Sequence, residues 1–69
     1  MPVNITQREY EILKLIYKGH SNYEISEKLF ISPRTVEYHR SNLLKKTYSN
    51  NIVDLIRFAI ENNLLPVNY

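Results

Sequence analysis

The chain has 69 residues, 43% of them hydrophobic, with nine Lys and Arg against seven Asp and Glu for a formal charge of +2. That length suits one compact domain spanning 1–69 and is too short for a second core, while the apolar content is too high for a disordered tail and no apolar run approaches membrane-spanning length. The absence of cysteine excludes a disulfide scaffold or thiolate metal site and points to a reducing, cytoplasmic setting.

Gly19 is the only glycine, and the three prolines stand at 2, 33 and 66. Long stretches without strand or loop punctuation favour an all-α fold. Thr6 and Glu9 have the spacing of a capping box, so a first helix is expected over about 7–18, with Ile12, Leu13 and Ile16 as its inner stripe and Tyr17 at the edge. Gly19 follows where a left-handed residue would end it. Ser21 and Glu24 repeat the capping pattern, predicting a second helix over 22–30. Ile25 and Leu29 face inward, and Phe30 and Ile31 continue the apolar contact into the next turn.

Ser32 caps a third helix and Pro33 takes its first position, where the missing N–H is harmless. The connection of about three residues is the tight turn of a helix-turn-helix unit. On a helical wheel over 33–46, Val36, Leu43 and Thr47 form the inner line, flanked by His39, Arg40 and Leu44. Arg34, Tyr38, Ser41 and Lys45 take the opposite side, with Glu37 and Asn42 on its margins. A fourth helix over 51–63 carries Ile52, Leu55, Ile56, Ala59 and Ile60 at one periodicity, and Asn62, Asn63 and Pro66 close it. Phe58 lies away from that stripe and Val53 on its shoulder, so a second, apolar surface is expected.

Three segments carry a family likeness: Ile5-Thr6-Gln7-Arg8-Glu9; Gly19-His20-Ser21-Asn22-Tyr23-Glu24-Ile25; and Ile31-Ser32-Pro33-Arg34-Thr35-Val36-Glu37-Tyr38-His39. With Asp54-Leu55-Ile56-Arg57-Phe58-Ala59-Ile60, they make a chain that resembles the LuxR/NarL/FixJ/GerE family of bacterial regulators over nearly its whole length. The resemblance implies a four-helix domain whose second and third helices form the helix-turn-helix, whose third helix reads bases and whose fourth makes dimer contacts. Such domains usually follow a receiver or ligand-binding module, and short stand-alone versions also exist. Two positions depart from the family pattern. Thr47 replaces a leucine, and Tyr48 and Ser49 stand where a glycine is usual.

The resemblance assigns Glu37, Tyr38 and Ser41 to the base edges, and the wheel independently exposes Tyr38 and Ser41. A serine hydroxyl can donate or accept, a tyrosine ring can meet a thymine methyl, and a carboxylate can accept from cytosine N4. Arg34 shares that face and can reach guanine or a phosphate. Lys45 is assigned to phosphate, as are Asn42 on the margin and Lys46 one turn beyond it. Thr35 offers a hydroxyl and an amide near the helix start, and Asn22 and Tyr23 open the helix expected to cross the sugar-phosphate backbone. The resemblance makes His39 a backbone contact or a packing residue; neither histidine has a metal-ligand set around it. Arg40 can lay its stem on the core and send its guanidinium to the rim.

The expected function is sequence-specific transcription regulation without catalysis or cofactor. Double-stranded DNA is the expected partner, a homodimer the expected form through Val53, Arg57 and Phe58, and RNA polymerase a further candidate partner. No membrane or small-molecule ligand is expected. The competing reading is a helical module that docks a partner protein through the same exposed face. An enzyme ranks last, since no activated nucleophile, metal cluster or phosphate-cradling glycine loop is present.

Overall fold

The computed structural model describes residues 4–67, so positions 1–3 and 68–69 of the expected domain span lie outside the described residues. Four helices and no strand make up this part of the chain: α1 Gln7–Tyr17, α2 Asn22–Leu29, α3 Pro33–Lys46 and α4 Ile52–Glu61. The fourth helix is shorter than the expected 51–63 because Asn51 is its cap and Asn62 already leaves helical geometry.

Each helix starts on a side-chain cap. Thr6 and Ser21 close reciprocal boxes with Glu9 and Glu24, Ser32 accepts from the Thr35 amide, and Asn51 accepts from the Asp54 amide. Each helix also ends alike, on a residue with positive φ: Gly19 at 93°, Phe30 at 57°, Tyr48 at 55° and Asn63 at 61°. Behind these residues the next amide reaches back across the last turn, His20 to the Leu15 carbonyl, Ile31 to Ser26, Ser49 to Leu44 and Leu64 to Ala59. This is the left-handed stop that satisfies carbonyls a helix would otherwise leave bare.

Tyr48 therefore takes the conformation for which glycine is the usual residue. Departure from the family pattern at this position has kept the turn. Thr47 is likewise accommodated: its buried hydroxyl donates to the Leu43 carbonyl at 2.9 Å and lies 2.6 Å from Ser49 Oγ.

One core holds the helices together, built from Ile12, Leu13, Ile16, Ile25, Val36, Leu43, Leu55, Ala59 and Leu65. The third helix is central, packing on α1, α2 and α4. Leu65 brings the tail into that core, and two tyrosines tie it down, Tyr10 donating to the Leu64 carbonyl at 3.1 Å and Tyr17 to the Pro66 carbonyl at 2.6 Å.

Two apolar expectations are corrected. Phe30 does not continue the inner contact of α2; it is 94% exposed, because its left-handed backbone swings the side chain outward while Ile31 takes the inward place. Of the α4 stripe only Leu55 and Ala59 are buried. Ile52, Ile56 and Ile60 are half-buried and line an open groove with Val53, Arg57 and Glu61.

Candidate nucleic-acid interface

The third helix has two unlike faces because its sequence alternates them at helical spacing. Val36 and Leu43 are fully buried, and Thr47 nearly so. On the opposite side Arg34, Glu37, Tyr38, Ser41 and Lys45 are all exposed, Tyr38 at 63%. No other described segment covers this strip. Arg34 and Lys45 make no ion pair among the described residues, so both cations remain available to an outside anion. Fourteen residues in α3 give a rod about 21 Å long and about 10–12 Å across, which matches the width of a DNA major groove.

Flanking residues are arranged around this strip with varying freedom. Asn42 and His39 are half-buried. The His39 ring meets Tyr38 edge-on at 5.5 Å between centroids, and its Nδ1 is buried without a hydrogen-bond partner. Arg40 is half-buried, as its place on the apolar arc requires, and pairs with no acidic residue among the described ones. Thr35 is partly engaged, since its amide donates to Ser32 Oγ at 3.1 Å and its hydroxyl lies 3.0 Å from the same oxygen. The α3 amide left to an anion is thus that of Arg34, Pro33 having none.

Lys46 is the expected phosphate contact that the structure redirects. Its ammonium donates to Glu9 Oε1 at 2.7 Å and to the Asn4 carbonyl at 2.8 Å. Glu9 is only 3% exposed, and a carboxylate removed from water at that depth demands a counter-charge. Lys46 supplies it from the last turn of α3. Burial pushes the Glu9 carboxyl up, but the Lys46 hydrogen bond, the Thr6 amide and the Lys46 charge together outweigh it and hold the group below the ordinary carboxylate range. Sequence reasoning missed Glu9 because the capping box explained it already.

The start of the second helix reaches the margin of the α3 strip, where Asn22 meets Glu37. Ser21 satisfies the Glu24 amide, while helical geometry leaves the amides of Asn22 and Tyr23 without an intrahelical acceptor. Tyr23 is exposed at 64%. The Asn22 side chain is turned toward α3, where its Nδ2 donates to Glu37 Oε2. This link between a phosphate candidate and a base-contact candidate was not foreseen, and the place of Glu37 on the wheel margin was its only trace in the sequence.

The expected dimer residues separate. Val53, 67% exposed, and Arg57 line the α4 groove, whereas Phe58 is half-buried and lies outside it. Ile52, Ile56 and Ile60 supply the rest of the groove's apolar wall. Their line runs roughly 80° round the helix from Leu55 and Ala59 at 100° per residue, a separation that the wheel could have disclosed.

A two-faced helix on a tight turn is the geometry of a helix-turn-helix, and residues 3–59 match the family model described as bacterial regulatory proteins, luxR family. The chain belongs to that family. Among curated relatives, the LuxR-family domain is 43% identical over 61 residues to the oxygen regulatory protein NreC of Staphylococcus carnosus (strain TM300), covering 88% of this chain and 28% of that protein. The same identity and coverage hold for NreC of Staphylococcus aureus (strain JH9). It thus spans less than a third of the length of the relatives it matches. Among solved structures, the response regulator ChrA of a heme-sensing two-component system superposes with a TM-score of 0.86 at 32% identity, over 94% of this chain and 32% of that one. The LuxR-family domain is therefore of the DNA-binding, transcription-regulating kind found in response regulators.

Proposed function

We propose that the chain reads specific DNA sites by inserting α3 into the major groove, as the effector part of a response regulator or as a stand-alone regulator acting at the nucleoid. The observation that carries this is the uncovered strip Arg34, Tyr38, Ser41 and Lys45 on a helix whose other face is buried. In this reading Tyr38, Ser41, Glu37 and Arg34 meet base edges. Lys45, Asn42, His39, the Thr35 hydroxyl, Tyr23 and the free amides at the start of α2 meet phosphates. Lys46 is left out of the phosphate set, since its ammonium is held by Glu9 and Asn4. The domain binds and does no chemistry.

A homodimer through the α4 groove completes the proposal. The groove supports it because an isologous contact needs one self-complementary patch, and Val53, Ile52, Ile56 and Ile60 offer apolar surface beside Arg57 and Glu61, opposite charges that a two-fold axis can pair. Two recognition helices would then address half-sites about one DNA turn apart.

Selection of bound duplexes from a random pool tests both parts. A two-fold or repeated motif with half-sites about one turn apart is the expected product, with affinity falling by orders of magnitude between about 50 and 200 mM salt. A protein that enriches no sequence, or whose binding ignores salt, would exclude this function.

A further inference from the structure

We infer that Asn22 is a specificity-determining residue that acts through Glu37, holding that carboxylate so that it reads one base pair. The inference rests on the DNA-reading function proposed above and deepens it.

Asn22 is the first residue of α2, and Glu37 lies on the edge of the exposed α3 strip nearest that helix. Asn22 Nδ2 donates to Glu37 Oε2 across the helix-turn-helix, while Asn22 Oδ1 is buried with no partner. A buried acceptor left bare is unfavourable, and rotating the amide over would not repair it at the Glu37 end, where it would set two acceptors face to face. The carboxylate therefore dictates how the amide lies. Asn22 in turn restricts a side chain that would otherwise sample many rotamers.

The consequence for recognition follows from the acceptor capacity of a carboxylate. Its two oxygens provide about four lone-pair sites, and Asn22 occupies one. Glu37 is exposed and has no other hydrogen bond or ion pair among the described residues, so the remainder can accept from an exocyclic amine, that of cytosine or adenine, at a place fixed along the groove. A carboxylate brought near phosphates is repelled by them, and the amide hydrogens of Asn22 offset part of that repulsion. The second Nδ2 hydrogen of Asn22 remains for a phosphate where α2 crosses the backbone. One side chain would thus link the docking of α2 to the base choice made by α3.

The test is selection from a random duplex pool with the unchanged chain, Asn22→Ala, Glu37→Ala and the double variant. The unchanged chain should enrich a motif in which one position per half-site depends on Glu37. Asn22→Ala should lose about fivefold to tenfold of discrimination at that same position and leave the other positions alone. In the double variant the loss should not exceed that of Glu37→Ala, because the two residues act as one unit. If Asn22→Ala lowers affinity for all sequences equally with its base profile unchanged, Asn22 is a phosphate contact or a helix clip and the inference falls. It falls also if Glu37→Ala leaves the profile intact. Should the unchanged chain enrich nothing, the DNA-reading function itself is overturned, a result distinct from either. Asn22→Gln, which keeps the amide but displaces it, replaces Asn22→Ala in the comparison if circular dichroism shows that the alanine variant does not fold.

Discussion

Two adjacent lysines at the end of α3 do opposite work. Lys45 is exposed and without an ion pair among the described residues, whereas Lys46 is spent on the buried Glu9 and the Asn4 carbonyl. Lys45→Ala should leave the melting temperature unchanged, weaken binding to all duplexes and reduce the slope of log affinity against log salt by about 1. Lys46→Ala should instead cost about 2 kcal/mol in urea unfolding, since it strips a charged hydrogen bond from a carboxylate already out of water. Composition and spacing treat the two as equivalent. Only the rotation of one residue, roughly 100° around the helix, sends one ammonium to solvent and the other toward α1.

At the scale of the element, the starts were legible, and of the left-handed stops only Gly19 was signalled by its residue type. Thr6, Ser21, Ser32 and Asn51 cap in the structure as their residue types suggest, because a cap is a local contact within about three residues. Phe30 and Tyr48 give no such signal, since aromatic residues rarely take positive φ. Tyr48 is 93% exposed with φ at 55°, so its ring contributes little to hold that conformation. Tyr48→Gly should therefore raise stability by about 0.5–1 kcal/mol, the relief of left-handed strain exceeding the greater chain entropy of glycine, with the gain read as a higher urea midpoint. The α4 groove belongs to this scale too. Val53→Glu places a charge in the apolar wall of the groove without touching the core, so the monomer should melt as before. Sedimentation should show weaker self-association, and binding to paired half-sites should fall more than binding to a single half-site.

Across the whole molecule, the Glu9–Lys46 bridge fastens the beginning of α1 to the end of α3 and makes stability depend on acidity. Glu9 holds its proton less readily folded than unfolded. Its stabilisation is present above the ordinary carboxylate range and is lost as the pH falls through that range toward the lowered folded value. Glu24 shifts in the same direction, mainly through the Ser21 amide. Thermal midpoints should decline from about pH 6 to about pH 3. Glu9→Gln should flatten that decline without abolishing it, because Glu24 continues to titrate, and an unchanged acid limb in Glu9→Gln would exclude the bridge as its source. Helix number, the tight turn between α2 and α3, and the polar strip on α3 could all be read from the chain, because capping contacts and the 3.6-residue period act within a few residues. The partner of Glu9, the Asn22–Glu37 link, the tyrosine ties to the tail and which of the two α4 lines its neighbours cover, leaving Ile52, Ile56 and Ile60 to a surface groove, were decided by tertiary structure. Each joins residues distant in sequence, or depends on which side of a helix its neighbours happen to cover, and no local pattern encodes how one helix is rotated against another.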